Sequence, residues 1–129
     1  MSNTSIPDDI RRYVIHRVPS VPYLEAILLL RENRQQVWQS DQVARRLYLG
    51  EAEAAKLLAR LQEDGIVTEQ AGQPGRYHYA PATGELDELL ARLASVYAHN
   101  LIAISTLIHS KTTGNAQVLA DAFVWRKEK

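Results

Sequence analysis

"SDQVARRLYLGEAEAAKLLARLQEDGIVTEQAGQPGRYHYA", residues 40–80, is the stretch whose reading decides the fold. Ser40 is placed to cap a short helix, DQVARRLYL, that presents Val43, Ala44 and Leu47 to a core and leaves Arg45 and Arg46 outside. Gly50 marks a turn. The spacing then predicts a longer helix from Glu51 to about Asp64, burying Ala55, Leu58 and Leu61 on one face, with Gly65 as the left-handed position that ends it. Beyond it, IVTEQ and RYHYA are β-branched or aromatic runs joined by AGQPG, a hairpin with Gly and Pro at its tip.

Upstream lie two helix candidates. Ser5, Asp8 and Asp9 suit a helix start, and Ile10, Tyr13, Val14 and Val18 form one apolar stripe that ends before Pro19. A second helix begins near Ser20 and carries Leu24, Ile27, Leu28 and Leu30 into a core, and QQVWQS then reads as a short extended link.

Downstream, Thr83 caps a helix expected to continue to about Ser110, roughly 40 Å long at ~1.5 Å per residue. Leu86, Leu90, Leu93, Tyr97, Asn100, Ile104 and Leu107 repeat along it at spacings of four and three. The eighteen residues from Leu93 to Ser110 hold no Asp, Glu, Lys or Arg, and burial on most sides is the economical explanation. A membrane span does not fit, because Ser95, His99, Asn100, Ser105, Thr106 and His109 are scattered through a stretch barely long enough to cross. Asn100, a lone amide in that seam, reads either as a register selector or as a partner for backbone of the hairpin. After KTTGN, Asn115 can cap a final short helix, whose Leu119, Ala122 and Phe123 would dock back as one arm of an αα-hairpin.

The chain is 129 residues with 46% hydrophobic content, enough for a core of its own. Fifteen basic and fifteen acidic side chains sum to zero and are spread evenly, so no global field draws the protein to nucleic acid or acidic lipid. With no cysteine, disulfides, thiolate metal sites and cysteine nucleophiles are excluded. The amino-terminal residues lack the apolar run of a signal peptide, and the expectation is an unprocessed cytoplasmic protein.

The order helix, turn, helix, ribbon resembles the winged helix-turn-helix superfamily, as in bacterial transcription regulators of the MarR and ArsR kind. The residues that carry it are Ala44, Leu47, Leu49, Ala55, Leu58, Leu61, Gly65, Ile66 and Val67, with Tyr77 and Tyr79 in the returning strand; the likeness covers roughly residues 20–80. It implies a mainly α chain with a small β-hairpin wing: a helical arm over 1–19, a winged domain over 20–82, and a long dimerisation helix with its successor over 83–129. It further implies a homodimeric regulator that meets double-stranded DNA, in which Arg45, Arg46, Arg76 and His78 hold phosphates and Lys56 and Arg60 come nearest the bases. Leu86, Leu90, Leu93, Tyr97, Asn100, Ile104 and Leu107 are the expected dimer interface.

Glu51 and Glu53 pull the other way, since they would face phosphates at like charge, although glutamate at a helix start also complements the dipole. The alternative is therefore a protein-interaction module on the same scaffold with little DNA affinity. No enzyme, cofactor or metal is expected: the four histidines share no ligand spacing, and no nucleophile sits beside a base. His99 and His109 read as polar members of a packed interface, and Tyr13, Tyr48 and Tyr97 as possible pocket lining.

Overall fold

A computed structural model describes the chain from Ile6 to Thr112, with side chains to Ser110; the expected Ser5 cap and the final helix lie outside the described residues. The described residues are mainly helical, with six helices and one small antiparallel sheet. They are α1 (Asp8–Arg17), α2 (Val21–Glu32), α3 (Ser40–Leu47), α4 (Glu51–Glu63), β1 (Val67–Glu69), β2 (Tyr77–Tyr79), α5 (Gly84–His99) and α6 (Leu101–Thr112). No helix among them is long and apolar enough to cross a membrane.

The chain divides into two compact units, one holding residues 22–92 and the other the residues on either side. In the first, α2 is the central helix, and Tyr23, Leu24, Ala26, Ile27, Leu29 and Leu30 are all buried along it. Leu28, expected in the core, is half-buried. Pro22 in its first turn costs no hydrogen bond, because a helix's first N–H groups have no partner within it. Gln39, not Ser40, is the N-cap of α3: its N–H donates to Gln42 Oε1 at 2.8 Å, and Ser40 is the first helical residue.

The buried face of α4 is Ala54, Leu58 and Leu61, an i, i+4, i+7 stripe, whereas Ala55 is exposed. Leu58 and Leu61 lie where expected and only the alanine differs, because alanine at both 54 and 55 leaves the apolar pattern degenerate there. Gly65 ends the helix as expected, at φ 77°: Ile66 N–H reaches Leu61 O at 2.9 Å and Gly65 N–H reaches Gln62 O at 3.0 Å, a Schellman stop.

β1 and β2 pair with Val67 opposite Tyr79, Thr68 opposite His78 and Glu69 opposite Tyr77. The tip is held by Glu69, whose Oε2 accepts from Gly75 N–H at 2.7 Å. QQVWQS is more than a link: Trp38 exchanges both backbone hydrogen bonds with Tyr77, at 2.7 and 2.9 Å, so β2 has a partner on each edge.

In the second unit α1 packs against α6. On α1 and just after it Ile10, Val14 and Val18 are fully buried, as are Ile104 and Ile108 on α6. Asp8 and Asp9 in the first turn and Arg17 in the last complement the dipole of α1, and Val18 is extended ahead of Pro19.

Thr83 caps α5, its Oγ1 accepting from Leu86 N–H at 3.0 Å. The single long helix expected to reach Ser110 is instead two, interrupted at Asn100. Two successive side chains turn back onto carbonyls of the preceding turn: a ring nitrogen of His99 lies 3.0 Å from Ser95 O, and Asn100 Nδ2 donates to Val96 O at 3.2 Å. The Asn100 N–H is itself shared between Val96 O at 2.8 Å and Tyr97 O at 3.3 Å, and Ile104 N–H donates to Asn100 O at 3.0 Å. An amide that competes with the backbone for its own helix is the physical reason for the break. Within the chain Asn100 bonds its own helix and not the hairpin backbone: it closes α5 and opens α6.

Candidate nucleic-acid interface

The surface in question is built by α3, the turn after it, α4 and the hairpin, all in the unit of residues 22–92. The turn is tight because α3 stops at Tyr48 in the left-handed region, φ 59°, while Leu49 N–H reaches back to Ala44 O at 2.9 Å. Gly50, expected to make the turn, has φ −71° and serves as N-cap of α4. Tyr48 is 93% exposed. Sequence reasoning missed it as the turn residue because glycine is the usual signal for positive φ, and a glycine stood two positions away.

α4 turns a bare face outward. Ala52, Ala55, Lys56 and Ala59 are all exposed, so most of that side is slim, with one cation at its middle and the exposed Glu63 a turn beyond Ala59 on the same strip. Its first turn also exposes Glu51 and Glu53.

The cations proposed from sequence fall into three groups. Lys56 and Arg76 are exposed and in no ion pair with a described residue. Arg45 and Arg46 are exposed but lightly held: Arg45 lies 3.5 Å from Asp41 Oδ2, and the Arg46 guanidinium sits 5.7 Å from the centre of the Trp38 ring. Arg60 is held more closely: Nε bonds Asp64 Oδ2 at 3.1 Å and the guanidinium lies 5.9 Å from the centre of the Tyr23 ring, with half of the side chain still exposed. His78 is half-buried, and its Nδ1 is shut from solvent without a hydrogen-bond partner among the described residues.

Behind the hairpin, Tyr79 O–H donates to Asp87 Oδ1 at 3.1 Å, and Arg34 lies 3.8 Å from the same carboxylate and 5.1 Å from the centre of the Tyr79 ring. Burial, the hydrogen bond to Asp87 and that carboxylate's charge push the Tyr79 phenol up to about 12. Tyr77 is raised too, by partial burial and by the Glu69 carboxylate. The cluster anchors β2 to α5 and to the loop after α2, holding the hairpin in place relative to α4.

Along the expected dimer seam the side chains differ in their exposure within one chain. Leu90, Leu93 and Ile104 have no exposed surface and Tyr97 keeps 8%, while Leu86, Asn100 and Leu107 are half-buried. His99 and His109, expected in a packed interface, are exposed. The large apolar side chains left bare in the charge-free stretch are Leu101 at 51% and Ile102 at 74%. Among the described residues no three His, Asp or Glu side chains group as metal ligands.

No protein-family model, curated protein or solved structure matches this chain. The functional reading therefore rests on geometry and chemistry alone.

Proposed function

We propose that the chain is a winged helix-turn-helix DNA-binding transcription regulator that acts as a homodimer. The observation that carries this reading is the bare outer face of α4, exposed from Glu51 along Ala52, Ala55, Lys56 and Ala59 directly after a tight helix–turn–helix. An α-helix fits a major groove about 12 Å wide, and the antiparallel hairpin that follows α4, bridged on its other edge by Trp38, supports reading it as the wing. Arg45, Arg46, Lys56 and Arg76 supply phosphate contacts on both sides of that helix. The alanines offer only apolar contact to thymine methyls, so binding of this kind depends on backbone more than on base sequence.

Titration of mixed-sequence duplex DNA tests it. With four phosphate contacts per protomer the log–log salt slope is about −4, or about −7 for a dimer, so affinity falls steeply between ~50 and ~200 mM salt. A second reading, a protein-interaction module, is favoured by Glu51 and Glu53 standing exposed at the start of α4. It requires no binding to duplex at either salt concentration.

A further inference from the structure

Tyr48 stands at the turn between α3 and α4 in a conformation that suits glycine: φ 59°, ψ 49°, the one positive φ among the described non-glycine residues. In that region the Cβ of an L residue crowds its own backbone, a strain that glycine does not feel. Nothing in the fold offsets the strain, because the side chain is 93% exposed and its hydroxyl has no hydrogen-bond partner among the described residues. It is also the one large apolar or aromatic side chain left in water in the unit of residues 22–92. Strain at a bare side chain is the mark of a binding element, in which stability of the free protein is given up for a contact made in a complex.

The surroundings point to the ligand. Arg45 and Arg46, exposed in the last turn of α3, precede Tyr48 by three and two residues, and the exposed Glu51 and Glu53 follow it at the start of α4. A Cβ added at Gly50 meets nothing within 4 Å, so the turn opens on free space. We propose that the Tyr48 hydroxyl donates a hydrogen bond to a phosphate oxygen of bound duplex DNA, beside the phosphates met by Arg45 and Arg46, and so fixes where α4 enters the groove. The inference rests on the DNA-binding reading and adds to it a contact of a different kind. A phenol displaces no counterion, so it strengthens binding by the same factor at every salt concentration, whereas each cation steepens the salt dependence. Between the cations of α3 and the carboxylates of α4, an uncharged donor on a long side chain reaches phosphate without adding to either charge. A protein partner is the rival for an exposed aromatic ring, but it would bury the ring without singling out the hydroxyl.

The unaltered protein, Tyr48→Phe and Tyr48→Gly are titrated with one mixed-sequence duplex at ~50, ~100 and ~200 mM salt, and each is also melted. Tyr48→Phe should weaken binding about tenfold per protomer, the worth of one hydrogen bond to a charged acceptor, with the slope of log affinity against log salt unchanged. Tyr48→Gly should bind at least as weakly although its denaturation midpoint is higher. Stability and affinity then move in opposite directions, which a merely structural tyrosine does not produce. Equal duplex binding by all three proteins overturns the contact and leaves the DNA-binding reading standing. A loss in Tyr48→Gly without one in Tyr48→Phe overturns the hydrogen bond and assigns the contact to the ring. No duplex binding by the unaltered protein overturns the contact and the DNA-binding reading together.

Discussion

The phenol of Tyr23 donates a hydrogen bond to Asp64, forty-one residues further along the chain, and ties the central helix α2 to the end of α4. Asp64 also receives Arg60 Nε, so one carboxylate gathers a buried phenol and a guanidinium that sequence alone would have sent to DNA. Tyr23 is 1% exposed, so Asp64 accepts from a hydroxyl shut away from water, and removing that acceptor should cost about 1–3 kcal/mol. Asp64→Ala should lower unfolding free energy by that amount, and Tyr23→Phe by about 1 kcal/mol, the usual net worth of one hydrogen bond. The double variant should cost less than the two losses added, which urea denaturation would measure; strict additivity would mean the pair is not coupled.

Tyr48 and Gly65 end consecutive helices in the same backbone conformation, φ 59° and 77°, with the same six-to-one hydrogen bond behind each. Only one of them is glycine. Tyr48→Gly should therefore stabilise the protein by roughly 0.5–1 kcal/mol, since the ring is 93% exposed and its loss forfeits little packing. Gly65→Ala should do the opposite, because the added Cβ meets Ala82 Cβ at 3.3 Å as well as the unfavourable φ. Thermal denaturation of both variants reads the contrast, and a destabilised Tyr48→Gly would assign the tyrosine ring a packing role.

At Asn100 the side chain and its own N–H both reach into the preceding turn, which separates α5 from α6. Asn100→Leu removes the competing amide and should let the two helices merge. Helical ellipticity should then rise by the few residues of the interrupted turn. An unchanged circular dichroism spectrum would place the cause of the break elsewhere.

These sites also show what a one-dimensional pattern can carry. Gly65, Thr83 and the hairpin tip were legible because their residue types act locally, through φ or through a hydroxyl three positions from its donor. Ala54 was not, because neighbouring alanines carry no phase information, and Gln39 was not, because Ser40 beside it is the better-known cap. The fate of Arg60 depends on Tyr23, and that of Trp38 on Tyr77, each a partner about forty residues distant that no local window contains. The break at Asn100 was hidden for a different reason: the heptad-like pattern runs through it without interruption, and only the hydrogen bonds of His99 and Asn100 reveal the stop.

Tyr79 gives the fold a dependence on alkaline pH. Its phenol titrates at about 12 when folded, against 10.0 when free, so the unfolded chain releases this proton first as pH rises. The stabilisation is complete below pH 10 and is lost progressively between pH 10 and about 12. In that window the urea midpoint of the unaltered protein should fall faster than that of Tyr79→Phe, which has no proton to lose; parallel slopes would exclude Tyr79 as the linked group.

The proposed DNA contacts and the structural cations separate in a salt titration. Lys56 and Arg76 are exposed and in no ion pair with a described residue, so Lys56→Ala and Arg76→Ala should leave the denaturation midpoint nearly unchanged. Each should reduce the slope of log affinity against log salt by about one per protomer, uniformly across duplex sequences. Arg60 shares Asp64 with Tyr23, so Arg60→Ala should leave the salt slope alone and instead lower stability. Its cost should be modest, about 0.5–1 kcal/mol, because the Arg60 side chain is 50% exposed and water screens its charge. Glu51 and Glu53 complete the pattern in the opposite sense. If the start of α4 approaches phosphate, removing their charge with Glu51→Gln and Glu53→Gln should tighten binding at low salt, an effect that fades as screening shortens the range of repulsion. Tightening there with loosening at Lys56 places the duplex along α4. If neither pair of substitutions moves the binding curve, that helix does not touch DNA.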